Sequence, residues 1–204
     1  MKRNALIVLL MVVGFHYGIS NDFGVERWHL AGGLVFPAAP DQFYDYWKQG
    51  YQIVGGVEFS SQSRFVQVIS AEVDYFPFDQ SRFLKRLGIT TGQTNIRGSN
   101  AINLSLSYLI KYPFTEYEHF QPAIFAGIGC LSCLRTSASL QYTDYSVLQG
   151  SSNSVVASIP FGLSVRLLEG AASALDVNFA YTYGLTKRQT INSNYTSVRL
   201  DYSF

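Results

Sequence analysis

The chain is poor in charge and, beyond its first twenty residues, has no long apolar segment. Only 14% of its 204 residues are charged and the formal net charge is +1, so no global field favours nucleic acid as a partner. After residue 20 no segment approaches the roughly 18 consecutive apolar residues of a transmembrane helix. Tyrosine (14) and phenylalanine (15) are abundant. This balance is typical of strands with one wet and one apolar face, and not of a disordered chain.

The N-terminus has the composition of an export signal. Lys2 and Arg3 supply a positive region, and residues 5–15 form an apolar stretch too short to cross a membrane. The pattern predicts a secretory signal peptide over residues 1–20, with an uncleaved anchor as the alternative. The mature domain is then expected over residues 21–204.

Alternation of apolar and polar residues recurs eight times in the mature chain. A period of two indicates an extended strand with two unlike faces. The clearest case runs from Ile102 to Tyr112, where every second residue is large and apolar. The predicted strands are residues 27–36, 51–60, 65–77, 102–112, 118–131, 155–166, 175–183 and 195–204. Each is near the roughly 9–11 residues that a tilted membrane-spanning strand needs.

The connections between these strands alternate in length. Those after Ser61, Pro113 and Leu168 are short, whereas those after Pro37, Phe78, Ser132 and Gly184 are long and rich in Gly, Ser, Thr, Asn and Tyr. Short turns on one side and long loops on the other are expected of an outer-membrane barrel. An even number of strands places both termini on the turn side.

The last strand carries a further signal. Leu200, Tyr202 and Phe204 alternate with polar residues up to the final position, and this resembles the C-terminal assembly signal of bacterial outer-membrane barrels. Together with the Gly56-Val57-Glu58 strand and the loop pattern, the chain resembles the outer-membrane β-barrel family of the small OmpA/OmpX type.

The resemblance implies an all-β fold, an eight-stranded antiparallel up-and-down transmembrane β-barrel with no periplasmic domain. It also implies a bacterial outer-membrane location, both termini in the periplasm, and a monomer. The expected partners are outer-membrane lipid, lipopolysaccharide and the barrel assembly machinery.

A soluble barrel of the lipocalin type is the competing fold. Such a barrel would hide its apolar face inside and show residues such as Arg166 and Asp176 to water. It would need neither alternating loop lengths nor a terminal Phe204, and the lipocalin Gly-x-Trp pattern is missing around Trp28. The membrane barrel is therefore favoured.

In a membrane barrel the charged residues of the strands face the lumen. The predicted lumen charge network is Glu58, Glu72, Asp74, Lys111, Arg166, Asp176, Arg199 and Asp201. We expect Asp176 to bridge Arg166 and Arg199 on the two adjacent strands, with Asp201 and Glu58 close by. Confined charges persist only when paired, so the prediction is a lumen closed by its own ion pairs.

The long connection after Phe78 is basic. It carries Arg82, Lys85, Arg86 and Arg97 against Asp79, and such a cluster could bind lipopolysaccharide phosphates. A solvated basic loop explains the cluster equally well.

Cys130 and Cys133 lie at the end of the fifth predicted strand. Positions i and i+3 of a strand are about 10 Å apart, beyond the roughly 7 Å that a disulfide can bridge. A disulfide would therefore need a turn at this point, and two thiols alone cannot complete a metal site.

No set of residues predicts catalysis. The mature chain has only His29 and His119, and neither is followed by the serine that a lipid A deacylase would use. We therefore expect no enzymatic activity and no cofactor or metal. A structural or surface-interaction role is favoured, with a narrow channel or small-molecule carrier as the alternative and a lipid-modifying enzyme as the weakest.

Overall fold

The computed structural model of the chain describes residues 25–38, 42–59, 65–86, 88, 95–97, 100–114, 120–135, 138–141, 146–149, 153–170, 173–185 and 194–204. The predicted signal peptide over residues 1–20 and its cleavage point lie outside the described residues.

Thirteen elements are formed by the described residues. In chain order they are β1 (Val25–Pro37), α1 (Gln42–Tyr46), β2 (Gly50–Phe59), β3 (Val66–Phe76), α2 (Gln80–Arg86), β4 (Asn95–Arg97), β5 (Ala101–Pro113), β6 (Gln121–Arg135), β7 (Ala138–Gln141), β8 (Ser146–Gln149), β9 (Asn153–Glu169), β10 (Ala174–Leu185) and β11 (Tyr195–Ser203). Eight of these strands close a barrel in the order β1-β11-β10-β9-β6-β5-β3-β2, and β4, β7 and β8 form a separate sheet. The predicted eight-stranded antiparallel up-and-down barrel is confirmed.

The first and last strands complete the closure. β1 and β11 pair antiparallel from His29 opposite Ser203 to Pro37 opposite Tyr195. The backbone amides and carbonyls of Trp28 and Phe204 then exchange two hydrogen bonds of 2.8 Å. The barrel therefore has no free strand edge at this seam.

The outside of the barrel is apolar. Large hydrophobic side chains stand on the outer surface of every barrel strand, and Ile128 and Val155 are about 70% exposed (70% and 71%). Others in this outer set are Leu30, Leu34, Ile53, Val73, Ile102, Leu106, Ile110, Ile124, Ile159, Phe161, Leu163, Phe179, Val198 and Leu200. Continuous apolar surface of this extent is foreign to soluble proteins and typical of strands in lipid. The lipocalin alternative, with its apolar face inside, is thereby excluded.

Two strands extend further than their sequence pattern predicts. β6 continues to Arg135 and β9 begins at Asn153. Cys130 and Cys133 therefore both lie inside a strand, Cys130 exposed outside and Cys133 buried inside, and they form no disulfide with each other. They lie on opposite faces because three positions separate them, so this part of the chain forms no turn that would bring them together.

Pro160 lies in the middle of β9 and leaves a local gap in the sheet. β9 pairs with β10 without interruption there, with Pro160 opposite Thr182. On the other side, the pairing with β6 skips from Ala126–Phe161 to Gly129–Ser158. Proline has no amide hydrogen to donate, and the ladder to β6 is interrupted at this position.

The two ends of the barrel differ. At one end, here called the turn end, lie both chain ends of the barrel and the short connections at residues 60–65, 114–120 and 170–173. At the other, the loop end, lie the connections at residues 38–49, 77–100, 136–152 and 186–194. The alternation of short and long connections is confirmed. The sequence pattern missed the secondary structure within them: the helices α1 and α2, and the sheet of order β4-β7-β8.

Replacing an outward residue at mid-strand should impair assembly more than the same change at the turn end. Leu163 lies near the middle of β9 and Leu168 near its end, and both are exposed. An arginine near mid-bilayer costs about 2–4 kcal/mol, against about 0–1 kcal/mol near the interface. We expect Leu163→Arg to lower the folded fraction strongly and Leu168→Arg to lower it little. The measurement is the heat-modifiable band on SDS gels after refolding into lipid, and equal losses would contradict a membrane-embedded outer face.

Candidate functional site in the barrel lumen

Among the described residues, buried polar and charged side chains project into the barrel from seven of its eight strands, all except β6. Those with exposed fractions below a tenth are His29, Gln52, Glu58, Ser70, Glu72, Asp74, Asn103, Ser105, Ser107, Ser158, Ser164, Asp176, Asn178, Thr182, Ser197, Arg199 and Ser203. Buried polar groups need partners, and buried charges need counter-charges. The pairing within this set decides what the lumen can do.

A chain of ion pairs occupies the half of the lumen near the turn end. Asp176 on β10 accepts a hydrogen bond from Arg166 Nε on the adjacent strand at 2.9 Å, and a second from Lys111 Nζ on β5. Arg166 continues to Glu169 at 3.0 Å, and Glu169 is also 3.4 Å from Arg27. In the barrel order β10 and β5 are three strands apart, so the Lys111–Asp176 pair spans the lumen.

A second ion pair spans the lumen further toward the loop end. Arg199 Nη1 on β11 lies 3.3 Å from Glu72 Oε1 on β3, and both side chains are about 5% exposed (5% and 5%). The prediction that Asp176 bridges Arg166 and Arg199 is therefore wrong in its second half. Arg199 crosses the lumen to Glu72, and Lys111 takes the expected place beside Asp176. Gly33 stands opposite Arg199 in the β1–β11 register, and a Cβ there would collide with the Arg199 Cβ.

His29 and Asp201 form a third interior pair. His29 Nδ1 is 3.2 Å from Asp201 Oδ1, and Asn178 donates to Asp201 Oδ2 at 3.3 Å. A Cβ on Gly56 would collide with His29 Nε2, so a glycine is required for the imidazole to fit. His29 therefore lies in the lumen, away from the lipid side of the wall. His119 lies outside the described residues.

These groups enclose a small cavity of about 30 Å³. Its lining includes His29, Glu58, Lys111, Asp176, Asn178, Arg199 and Asp201. A water molecule needs about 10–15 Å³ of such space, so the cavity has room for one or two waters and not for an organic ligand. In the described part of the chain, no three His, Cys, Asp or Glu side chains are grouped as a metal site.

One further acidic group, Asp74, lies above the Arg199–Glu72 pair. The Gln52 side-chain amide donates to Glu72 Oε2 at 3.0 Å and to Asp74 Oδ1 at 2.8 Å. Gln52, Asp74 and Asn103 are direct cross-strand partners on β2, β3 and β5. They therefore form one row across the inner wall, a row of which the sequence pattern had identified only Asp74.

An aromatic cluster covers the loop end of the lumen, and we call it the aromatic cap. Phe43 and Trp47, on and just after α1, pack against Phe76 at the end of β3 and Tyr195 at the start of β11. Ring centroids are 4.9 Å apart for Phe43–Trp47 and 4.8 Å for Phe43–Phe76. Phe43, Phe76 and Tyr195 are at most 1% exposed. The alternation of β-strands gave no signal for this cap because half of it comes from a loop helix.

Asp79 lies directly before α2 and caps its first turn, beside the aromatic cap. Its Oδ1 accepts from the Ser81 hydroxyl at 2.7 Å and from the Arg82 amide at 3.1 Å, an N-terminal cap. Burial alone would raise the pKa of Asp79, but these two hydrogen bonds and the Arg82 guanidinium lower it below its usual value. Phe83 of α2 then packs on Tyr46 with ring centroids 5.3 Å apart, and burial raises the pKa of Tyr46.

The four basic residues predicted to contact lipopolysaccharide are placed only in part. Arg82 lies 3.3 Å from Asp79, donates to the Tyr44 carbonyl at 3.2 Å and stacks on the Tyr44 ring at 4.7 Å. Lys85, one turn further along α2, is exposed. The side chains of Arg86 and Arg97 lie outside the described residues. Arg82 and Lys85 thus form an exposed basic face on α2 at the loop end.

The three residues of the proposed assembly signal stand on the outer surface of β11 and at its end. Leu200, Tyr202 and Phe204 are each about half exposed or more. The rings of Tyr202 and Phe204 stack with centroids 5.9 Å apart. Phe204 is also held by its backbone to Trp28 on β1, so the last residue belongs to the closing seam.

A closed antiparallel eight-stranded barrel with an apolar exterior and an ion-paired interior has the fold of the small outer membrane barrels. Among solved structures, the chain is similar to a major outer membrane protein from Thermus thermophilus, with a TM-score of 0.51 and 10% sequence identity over 87% of this chain and 98% of that chain. At this identity the similarity shows the fold alone. Among the described residues, no helix is long and apolar enough to cross a membrane.

Two other solved structures are similar to the chain with TM-scores below 0.5. They are Ail, the attachment invasion locus protein of Yersinia pestis (TM-score 0.46, 11% identity, 88% of this chain and 99% of that chain), and Neisserial surface protein A (0.47, 11%, 86% and 95%). No protein family model matches the chain, and no curated protein matches its sequence.

Asp176 should be energetically coupled to Lys111 and much less to Arg199. Asp176→Asn removes the carboxylate that Lys111 and Arg166 share and leaves Arg166 only its contact with Glu169; breaking a buried pair in this way costs about 3–5 kcal/mol. In a double-mutant cycle read by urea unfolding in lipid, we expect strong non-additivity with Lys111→Met. The cycle with Arg199→Met is the matched control and should be close to additive. Equal coupling in both cycles would contradict the observed pairing.

Proposed function

We propose that the chain is an integral protein of the bacterial outer membrane with a structural or surface-interaction role, and that its lumen is closed. Both termini then lie in the periplasm, and the long connections with the aromatic cap lie outside the cell. The observation that supports this proposal best is the pair of ion pairs crossing the lumen, Lys111–Asp176 and Arg199–Glu72. A protein that conducts ions or carries a solute needs a continuous path through its lumen, and these two ion pairs obstruct such a path.

The aromatic cap supports the same proposal. It lies at the loop end in series with the ion pairs, with Phe43 and Phe76 fully buried. An ion crossing the barrel would have to displace an apolar seal and then disrupt buried charge pairs. The structural or surface-interaction role therefore depends on the outer surface of the barrel and on its loops. For the same reason, a narrow channel or carrier is the weaker alternative.

We also propose that the barrel is not an enzyme. The one described histidine, His29, is paired with Asp201 inside the lumen, where a lipid chain on the outer surface cannot reach it. A lipid-modifying enzyme needs its nucleophile and base within hydrogen-bond reach of the substrate. Lipid A mass spectrometry on a deletion strain tests this, since an enzyme acting on lipid A would leave an altered mass profile when lost.

Arg82 and Lys85 on α2 support contact with lipopolysaccharide. In the proposed orientation they lie beside the outer leaflet, where phosphate groups could accept hydrogen bonds from a guanidinium. Arg82 already contacts Asp79 and Tyr44. Lys85 is therefore the better placed of the two cations to bind a phosphate group. Before its insertion into the membrane, the protein would contact the barrel assembly machinery from the periplasmic side.

The refolded barrel should show no stable open level in single-channel recordings. Trp47→Ala weakens the aromatic cap, and the double variant Asp176→Asn/Arg199→Met breaks both ion pairs that cross the lumen. We expect each of these two variants to remain closed because the other obstruction is intact. The combined variant should conduct in brief openings. A wild-type barrel with large, steady conductance would overturn the closed lumen and favour the channel.

The ring of Phe204 should matter for assembly beyond its place in the seam. Phe204→Ala removes the ring and keeps the backbone hydrogen bonds to Trp28, whereas deletion of residue 204 removes both. If the terminal residue is part of an assembly signal, Phe204→Ala should lower the assembled yield in cells nearly as far as the deletion does. Refolding into lipid without assembly factors should be almost normal for Phe204→Ala. A normal yield of both variants in cells would remove the support for such a signal.

A further inference from the structure

The upper part of the lumen carries more negative than positive charge. Glu72 and Asp74 are 6% and 0% exposed, and among the described residues they face one cation, Arg199, which is 5% exposed. Arg199 contacts Glu72 at 3.3 Å. Lys111, the next cation toward the turn end, is engaged by Asp176. One carboxylate of the three-residue group is therefore uncompensated, a condition that proteins avoid in a dry interior.

Oxygen atoms without partners gather at the same place. Gln52 uses its amide hydrogens on Glu72 and Asp74, and its Oε1 has no hydrogen-bond partner in the part of the chain that the structure describes. Asp74 Oδ2 and both polar atoms of Asn103 likewise have no hydrogen-bond partner among the described residues. Asn103 is 0% exposed and is the direct cross-strand partner of Asp74. The three oxygens belong to one row of the inner wall, on three adjacent strands.

From this juxtaposition we infer that Gln52, Asp74 and Asn103 hold a monovalent alkali cation, with Glu72 beside it. Carboxylates and amide carbonyls are the oxygen ligands that hard cations take. A single positive charge balances the group, whereas a divalent ion would leave an excess of one. The Tyr195 hydroxyl lies close to Asp74.

A proton shared by Glu72 and Asp74 is the simplest rival. It would cancel the same charge, but it would satisfy only one oxygen, whereas Gln52 Oε1, Asp74 Oδ2 and Asn103 Oδ1 all lack a hydrogen-bond partner among the described residues. The aromatic cap begins directly above the row, since Phe76 follows Asp74 by two residues on the same face of β3. A cation at the row would be sealed from outside, so it would enter during folding and stabilise the closed barrel.

The test is urea unfolding of the full chain refolded in the presence of one cation at a time. Sodium, potassium and calcium chloride are compared with N-methylglucamine chloride at equal ionic strength. We expect the unfolding midpoint of the wild type to rise with the logarithm of the sodium or potassium concentration, because an ion bound only by the folded state stabilises it. Asp74→Asn should lose this dependence and should unfold no earlier than the wild type in N-methylglucamine. Glu169→Gln, at the turn end, is the matched control and should keep the wild-type dependence.

Asn103→Leu is a second variant in case Asp74→Asn does not fold. It removes one ligand oxygen, keeps both carboxylates, and should reduce the cation dependence. Equal midpoints in sodium, potassium and N-methylglucamine would overturn the inference. A midpoint that follows pH but no alkali cation would do the same and establish the shared proton. A larger rise with calcium than with sodium would overturn the monovalent assignment.

Discussion

Closure of the sheet between β1 and β11 is the constraint on which the rest of the structure depends. A sheet that turns its apolar face outward cannot leave an edge of unpaired amides and carbonyls beside hydrocarbon, because each unpaired group there costs several kcal/mol. The seam from His29–Ser203 to Pro37–Tyr195 satisfies these groups, and the bonds between Trp28 and Phe204 extend it to the last residue. Once the seam is closed, every second side chain is confined to a narrow interior.

Confinement explains the arrangement of the lumen. An eight-stranded barrel is just wide enough for side chains to fill, so long residues from opposite walls meet in the middle. Lys111 reaches Asp176 and Arg199 reaches Glu72 across three strands. Small residues provide the space for this: a side chain at Gly33 or Gly56 would collide with Arg199 or His29. Charge pairing in this interior therefore depends on packing, because the long side chains fit only where glycines leave room for them.

The two ends of the barrel differ from its wall in the side chains that close them. The turn end is polar, with Arg27, Arg166 and Glu169 paired at its rim. The loop end is sealed by the aromatic cap, to which Phe43 of α1 and Tyr195 of β11 both contribute. α2 is attached beside this cap through the capping of its first turn by Asp79. The two ends thus differ in polarity, which supports the orientation proposed here.

The number of barrel strands, the outward face of most of them, and the alternation of short and long connections could all be predicted from the amino-acid sequence. These follow from local patterns, because a period of two and a run of turn residues can be recognised within about ten positions. It also identified the lumen charges one by one, since a charged residue on an otherwise apolar strand must point inward. It did not predict α1 and α2, the sheet of β4, β7 and β8, or the continuation of β6 and β9.

Only the tertiary structure decided which of these charges meet. The sequence suggested that Asp176 joins its neighbours in chain order, Arg166 and Arg199. Closure instead brought β5 opposite β10 and β3 opposite β11, so that Lys111 and Glu72 became the partners. It also aligned Gln52, Asp74 and Asn103 in one row and placed the aromatic cap over them. Such contacts depend on strand order and register around a closed circle, which no local pattern encodes.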